Sequence, residues 1–382
     1  MKKVVAIVLA MMLALSAAAM AETVKIGVFE PASGDSGAGG KQEMLGMQYA
    51  NKETPTVEIG GTTYDVELVY ADNGSSTDKA PSAAQQLVSE NVSVVLGSYG
   101  SGVSIAGSQY FAEANIPAIG VTCTNPQVTA GNSHYFRICF LDPFQGTVLA
   151  NYAFKELNAK TAYCLGELGN DYDQGLLTYF KQAFEGLGGT VVTESFPTNT
   201  ADFTSYLTNA AMYSADVFFC PVSIAYSTQI VQQAASQGAT FPILGSDTLD
   251  SNVVANAAKG TNVQVIITTF YQEGAAPEFD EGFKAWLNAD SEAMTNNGGN
   301  DMISAVSAMG YDAYYTALEA LKAAGSTDSA AVLAALPGVT YTGVSGAIAF
   351  DEVGDAIRTS AFIKKINNET GDWEFVTEQT VG

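Results

Sequence analysis

Short hydrophobic runs alternate with amphipathic segments of helical length along most of this chain. In the first part, the runs with strand character are residues 24–29, 64–70, 92–97 and 116–121. The segments with helical spacing between them are residues 42–52, 80–90 and 103–114. Strands that alternate with helices are typical of right-handed βαβ units. We therefore predict a parallel sheet with helices on its faces.

The same alternation begins again after Asp142-Pro143. Its predicted strands are residues 161–165, 190–196, 217–222, 241–245 and 263–270. Its predicted helices are residues 144–157, 172–187, 203–213 and 227–237. Because the second series has the order of the first and no short repeat recurs, we predict two similar α/β lobes and not a solenoid.

The last part of the chain departs from this order. Its predicted helices are residues 279–287, 305–324 and 329–336. A polar, Asn- and Gly-rich segment at residues 294–300 is expected to be a loop. Two strand-like runs, residues 359–366 and 373–377, flank the turn residues 367–371, which is typical of a β-hairpin. We expect this hairpin to add edge strands to a sheet.

The first residues predict export. Lys2 and Lys3, the apolar run 4–15 and the small residues at 19–21 are typical of a secretory signal peptide cleaved after Ala21. A membrane span is the alternative, but the run is short and no stop-transfer segment follows. No cysteine lies near the cleavage point to carry an acyl anchor. We expect a soluble periplasmic monomer with no direct membrane anchor.

The net charge and the cysteine content limit the kinds of partner and cofactor that we expect. The 16 basic residues face 40 acidic ones, for a net charge of −24, which argues against nucleic acid and against an anionic membrane surface. The spacing of Cys123, Cys139, Cys164 and Cys220 fits no zinc site, and we expect no metal and no cofactor. Buried free thiols are expected, with a Cys164–Cys220 bridge as the alternative because their strands are predicted neighbours.

Two strand ends in the first series predict a binding crevice. Residues 94–101 and 119–126 each read as a buried strand that ends in small and hydroxyl residues. Ligands of open parallel sheets bind at the carboxyl edge of the strands, where these hydroxyls would hold a small anionic group. Asp247 follows the strand 241–245 at the corresponding edge of the second series. Its alternative role is a helix N-cap.

The residues needed for most catalytic chemistry are missing. His134 is the only histidine, and it lies in a sequence typical of a surface turn. The Gly-rich segment 34–40 has the wrong spacing for a dinucleotide fingerprint, and no phosphate-binding loop with Gly-Lys-Ser/Thr occurs. We therefore expect a binding protein and not an enzyme. An exported hydrolase that uses paired carboxylates is the alternative.

Several short motifs, in order along nearly the whole mature chain, resemble those of the periplasmic substrate-binding proteins of ABC transporters for branched-chain amino acids. The segments that carry the resemblance are 24–29 with Ser33-Gly34, 94–101, 122–126, Phe136-Arg137 before Asp142, Asp171-Tyr172 with Gly175, and 310–313. The resemblance implies the type I periplasmic binding fold, in which two lobes are joined by three crossover strands. We place lobe 1 at residues 22–142 with 271–345, and lobe 2 at residues 143–270 with 346–382.

The resemblance also implies roles for particular residues. Ser101 and Thr124 would hold the α-carboxylate of an amino acid, with Gly100 beside them. The Thr122 carbonyl, the Thr124 hydroxyl and the Asp247 carboxylate would hold the α-ammonium. Tyr172 would close over the ligand from the second lobe.

Two positions depart from the family pattern. Asp247 stands where the family usually has Glu, and Ser223 stands where many members have Tyr. Tyr99 and Phe270 are candidates for the wall around the ligand side chain, with core packing as the alternative for each.

The implied function is a receptor that closes on a branched-chain or other small apolar amino acid and delivers it to a permease. The alternatives are a receptor for a neutral amide or urea-like ligand, and a sensor lobe.

Overall fold

The computed structural model describes residues 22–380, which form two larger sheets and a two-stranded ribbon. The first sheet has the order β2-β3-β1-β4-β5-β6 and is parallel except for β2, which runs antiparallel to β3. Its strands are β1 (Glu22–Glu30), β2 (Thr56–Ile59), β3 (Thr62–Asp72), β4 (Val94–Leu96), β5 (Ala118–Gly120) and β6 (Tyr135–Arg137). The predicted signal peptide lies outside the described residues.

The α-helices lie between and after the strands. In chain order they are α1 (Gly37–Glu53), α2 (Ala80–Ser89), α3 (Ser101–Glu113), α4 (Asp142–Asn151), α5 (Asp171–Gly186), α6 (Thr204–Met212), α7 (Ile224–Gln237), α8 (Asn252–Ala258), α9 (Pro277–Ala289), α10 (Ser291–Asn296), α11 (Ala305–Ala324) and α12 (Ser329–Ala335). Within residues 22–380, none of the helices has the length and apolar character that crossing a bilayer requires.

Alternate residues of the first sheet point to opposite layers of helices. Ile26, Val28 and Leu96 lie in a core with α1 and α11. Phe29 and Val95 lie in a separate core with α2 and α3. Since successive side chains of a strand face opposite ways, a strand buried on both faces reads as a continuous apolar run. This explains why the hydrophobic runs of the sequence located these strands correctly.

The second sheet has the order β15-β14-β11-β10-β9-β7-β8. Its strands are β7 (Thr161–Glu167), β8 (Thr190–Phe196), β9 (Val217–Phe219), β10 (Ile243–Gly245), β11 (Val265–Thr269), β14 (Ser360–Asn367) and β15 (Asp372–Thr380). Strands β7 to β11 are parallel, whereas β14 and β15 form an antiparallel hairpin that is paired to β11. The predicted fold class, two α/β lobes with helices flanking parallel sheets, is confirmed, and so is the C-terminal hairpin.

The chain passes between the two sheets three times, at residues 138–141, 270–276 and 350–359. A ribbon of β12 (Thr340–Gly343) and β13 (Gly346–Ala349) precedes the third passage. The ribbon packs through Val339 and Ile348 on the core that contains α11. The predicted lobe boundary between residues 345 and 346 falls in the turn of this ribbon. We propose that lobe 2 resumes only after residue 350.

Some local predictions were wrong because tertiary contacts decide the local structure. The Gly-rich segment 34–40 is not all loop, because α1 begins at Gly37. A Cβ on Gly40 would lie 2.2 Å from the Pro31 carbonyl oxygen, so the glycine permits close packing there. Part of the predicted loop 294–300 belongs to α10, whose first amides are capped by the Asp290 side chain.

The predicted alternative of a Cys164–Cys220 disulfide is wrong. Cys164 pairs with Phe219 in the parallel register of β7 and β9. Because neighbouring residues of a strand face opposite sides, Cys220 points away from the face that carries Cys164. The two thiols lie in different hydrophobic cores, and all four cysteines are buried and free.

The close crossing of α1 and α11 yields a stability prediction. A Cβ on Gly46 would lie 1.8 Å from the Ser307 carbonyl oxygen, and backbone cannot give way cheaply. We expect Gly46→Ala to lower the free energy of unfolding by about 1–3 kcal/mol, the usual cost of overpacking. Urea unfolding followed by circular dichroism measures this change.

Gly186→Ala is the matched control. Gly186 also lies in a helix, but a Cβ added there would have no neighbouring atom within 4 Å. We expect the substitution to be neutral or to stabilise the protein by about 0.4–1 kcal/mol through the unfolded state. Equal effects of the two substitutions would contradict the packing argument.

Candidate functional site

Ser101 lies at the end of the first central strand, where α3 begins. The strand β4 ends at Leu96, and a short loop leads into the helix. Ser101 is 1% exposed, and its Oγ accepts a hydrogen bond of 3.2 Å from the Asn125 amide. The amides of a helix N-terminus together with a hydroxyl suit an anionic group. The hydrogen bond joins the two strand ends that the sequence predicted to form a crevice.

A buried arginine orders the second strand end. The Arg137 guanidinium donates to the carbonyl oxygens of Cys123 and Asn125, at 2.9 and 2.6 Å, and thereby holds both sides of Thr124. The charge of Arg137 is paired with Asp355 at 2.5 Å. Thr124 itself is fully buried, and its hydroxyl lies beside the Asp142 carboxyl, whose pKa it lowers. A fixed loop thus presents this hydroxyl next to a buried acid.

Asp247 lies at the corresponding edge of the second sheet, two residues after β10. It is 1% exposed, and its Oδ1 accepts hydrogen bonds from Gln145 Nε2 at 2.6 Å and from the Tyr172 hydroxyl at 2.8 Å. The side chain therefore points toward α4 and α5 and does not cap a helix. Burial raises the pKa of Asp247 to about 6, although both hydrogen bonds oppose the shift.

Further buried carboxyl groups surround the same region. Asp142 and Glu43 are fully buried and Glu30 nearly so, and each has at least one oxygen without a hydrogen-bond partner among residues 22–380. Burial, reinforced by the charge of Asp247, raises the pKa of Asp142 to about 8. Burial likewise raises the pKa values of Glu30 and Glu43. The interior of the cleft therefore holds four buried acids, three of which accept hydrogen bonds from Tyr99, Thr122, Gln145 or Tyr172.

A cavity of about 530 Å³ opens outward from this region between the two lobes. Both lobes line it, and they also contact each other around it. The Tyr99 hydroxyl donates to the Thr248 carbonyl at 3.2 Å, and the side-chain Nδ2 of Asn125 donates to the Asp171 carbonyl at 2.8 Å. The Tyr226 hydroxyl lies 3.1 Å from the Asp35 carboxylate. The two lobes are thus in contact, and the cavity lies between them.

The structure brings most of the predicted site residues to this cleft. The residues that line the cavity directly are Tyr99, Gly100, Ser101, Tyr172 and Ser223. Behind them lie three more of the predicted residues, which are buried: Thr122, Thr124 and Asp247. The Thr122 hydroxyl donates to Glu43 at 2.5 Å, and Ser223 caps α7 by accepting from the Tyr226 amide.

Phe270 does not line the cavity. It is 5% exposed, and its ring packs against Phe140 with a centroid distance of 4.2 Å, within the hydrophobic core. The alternative role for Phe270, packing in the core, is therefore the one that the structure shows. Tyr99 combines both roles, because it lines the cavity while its amide donates to Glu30 at 2.7 Å.

The sequence reasoning missed Gln145, Asp142 and Glu43. Gln145 orients Asp247 from the first turns of α4, and its signal was weak because one glutamine in a helix has many uses. The two acids could not be selected among 40 acidic residues. The only available signal was position: Asp142 opens the helix that follows the first passage between the sheets, and Glu43 follows the Gly-rich segment.

Comparison with known proteins identifies the family of this chain over most of its length. A family profile described as periplasmic binding protein matches residues 23–371. The chain is 30% identical over 349 residues to Leu/Ile/Val-binding protein homolog 3 of Brucella melitensis, an alignment that covers 87% of this chain and 88% of that protein.

Two solved structures are similar over nearly the full length. The leucine-binding protein LivK of Thermotoga maritima has a TM-score of 0.81 and 31% identity, covering 94% of this chain and 99% of that one. The substrate-binding protein LivJ of Streptococcus pneumoniae, in complex with isoleucine, has a TM-score of 0.80 and 27% identity, with the same coverage. The chain therefore belongs to the periplasmic binding protein family, as a substrate-binding protein of the branched-chain amino acid ABC transporter type with the type I periplasmic binding fold.

Proposed function

We propose that this protein binds the zwitterionic end of an amino acid between its lobes and delivers the amino acid to an ABC transporter permease in the periplasm. The observation that carries the proposal is a cavity lined by Ser101 from one lobe and by Tyr172, the partner of Asp247, from the other. Ser101 and Thr124 offer hydroxyl groups from the first sheet, and Asp247 offers a carboxylate from the second.

The first pole suits a carboxylate. Ser101 lies at the start of a helix, where amides and the helix dipole favour negative charge. The Thr124 hydroxyl is fully buried beside the Asp142 carboxyl, and the carboxylate of a ligand would offer it a charged acceptor.

The second pole suits an ammonium group. Gln145 and Tyr172 both donate to Oδ1 of Asp247 and so fix the orientation of its carboxylate. The other oxygen has no donor among the described residues, which leaves it available to a ligand. A charge-assisted hydrogen bond in this buried setting would be stronger than a neutral one.

Closure around the ligand follows from the contacts between the lobes. Tyr99, Asn125 and Tyr226 each bond across the cleft. A ligand that touches both poles binds only when the lobes are together, so it stabilises the closed form by its differential affinity. A permease that contacts both lobes would then distinguish the loaded receptor.

The charge of Asp247 provides the direct test. We expect Asp247→Asn, and more strongly Asp247→Ala, to lower amino-acid affinity by about 2–5 kcal/mol, because an ammonium would lose its buried partner. A thermal-shift screen over the twenty amino acids and simple aliphatic amides identifies the ligand first. Isothermal titration calorimetry then measures the affinity of each variant.

Asp290→Asn is the control for Asp247→Asn. Asp290 is exposed and caps α10, and asparagine caps a helix equally well. It removes the same charge outside the cleft and should leave affinity unchanged. Unchanged affinity in the Asp247 variants, or amides that bind more tightly than any amino acid, would contradict the proposal and favour a neutral amide ligand.

A pH dependence follows from the raised pKa of Asp247. With a pKa of about 6, Asp247 is ionised at neutral pH but becomes protonated as the pH falls below 6. An ammonium group must then displace the proton. We therefore expect the affinity to fall as the pH falls, by up to about tenfold per pH unit. Calorimetry at about pH 5 and about pH 7.5 measures the change.

Neighbouring acids share in this titration. Asp142, with a pKa of about 8, and Glu43 lie close enough to Asp247 for their charges to interact. We therefore expect Asp247→Asn to reduce the slope and not to remove it. Affinity that is independent of pH in the unaltered protein would show that the ligand makes no demand on a carboxylate.

A further inference from the structure

The cavity outside the zwitterion site has its own chemistry. It is continuous with the proposed site, because Ser101 and Tyr172 line both. Its volume of about 530 Å³ lies within the range of pockets that enclose whole small ligands, roughly 300–1,000 Å³. The side chain of an amino acid held at Ser101 and Asp247 would extend into this space.

The wall of the cavity is acidic and hydroxyl-rich. It contains five carboxylate side chains and no lysine, arginine or histidine. The five are Asp35, Asp78, Glu167, Asp171 and Asp173. Asp173 is buried and accepts a hydrogen bond from the Glu167 amide, and burial raises its pKa well above the usual range, so the charge of the wall comes from the other four. None of them takes part in the ion pairs formed within residues 22–380. Lys79 approaches Gly74 at the rim but does not line the cavity.

Asp142 is buried behind this wall and does not itself line the cavity. Its carboxyl group lies beside the Thr124 hydroxyl, and burial raises its pKa to about 8, so it is largely neutral at pH 7. The two buried cations nearest in the fold are already paired, Arg137 with Asp355 and Lys364 with Asp250. One α-ammonium can satisfy Asp247, which leaves the carboxylates of the wall without a counterpart.

This lining is poorly matched to a branched aliphatic side chain. The apolar contribution to the wall comes from few residues, chiefly Pro31, Val103 and Leu168 with the rings of Tyr99 and Tyr172. Enclosing an aliphatic group there would leave polar acceptors without partners, which costs binding free energy. An extended group with hydrogen-bond donors and positive charge would instead be paired along its length.

We propose that the ligand is an amino acid with an extended cationic side chain, an amine or a guanidinium, which lies in this acidic cavity. The inference rests on the proposed function, because it requires the zwitterionic end at Ser101, Thr124 and Asp247. The side-chain cation then faces Asp35 and Asp171 from the two lobes, and its charge assists closure by attracting both.

Matched pairs of amino acids test this inference. The side chains of L-lysine and L-norleucine have carbon chains of the same length, but only that of lysine carries an amine. Those of L-arginine and L-citrulline have a similar shape, but only that of arginine is charged. Calorimetry on the purified protein at low salt should give L-lysine or L-arginine about tenfold tighter binding than its neutral counterpart. Added salt should reduce this ratio, because screening weakens partly exposed ion pairs.

The double variant Asp35→Asn/Asp171→Asn locates the effect. Asparagine at 35 retains an acceptor for the Tyr226 hydroxyl, so the cleft contact is kept. We expect the cationic-to-neutral affinity ratio to fall by several-fold toward one. The control double variant Asp65→Asn/Asp290→Asn removes the same charge from exposed positions outside the cavity and should preserve the ratio.

Each result separates the two proposals. If L-norleucine or L-leucine binds as tightly as L-lysine and L-arginine, the cationic side chain is wrong while the amino-acid receptor stands. If none of these amino acids binds, the cationic side chain is wrong, and the amino-acid receptor is wrong as well only if none of the twenty amino acids raises the melting temperature. If a cationic amino acid binds preferentially but the Asp35/Asp171 variant keeps the full ratio, the cation does not lie in this cavity and the inference is overturned.

Discussion

The buried guanidinium of Arg137 is the interaction on which the site most depends. It lies at the end of β6, and its donors reach two carbonyl groups on either side of Thr124 and the carboxylate of Asp355. Asp355 belongs to the third passage between the sheets, so one charge joins a strand end, the candidate binding loop and the connection between lobes. Removal of either partner would leave an uncompensated buried charge, which is strongly destabilising.

A second buried pair serves the other lobe in a similar way. Lys364 of β14 contacts Asp250 at 3.0 Å, and Asp250 also accepts a hydrogen bond from Thr269 of β11. Asp250 ends the short turn that carries Asp247. The late hairpin therefore does more than extend a sheet, since it anchors the turn that presents the candidate ammonium partner. Each pole of the site thus rests on a paired charge whose two members are distant in sequence.

In the cleft, by contrast, acidic side chains are not matched by basic ones. No lysine, arginine or histidine lines the cavity, and burial raises the pKa values of Asp142, Glu43 and Asp247. Such a site favours a ligand that brings positive charge with it. A cationic group between Asp35 and Asp171 would offset the repulsion between carboxylates on facing lobes and so favour closure.

The hydrophobic pattern by itself determined the α/β class, the two series of parallel strands and the C-terminal hairpin, because strands buried on both faces need continuous apolar runs wherever they lie. It also placed Ser101, Thr124 and Asp247 at strand ends, since strand ends follow from strand positions. Only the tertiary structure decided that Phe270 packs on Phe140, that Cys164 and Cys220 face opposite cores, and that Gln145 and Asp142 belong to the cleft. Those facts depend on which segments meet across the three passages, and pairing between residues a hundred positions apart leaves no periodic trace in one sequence.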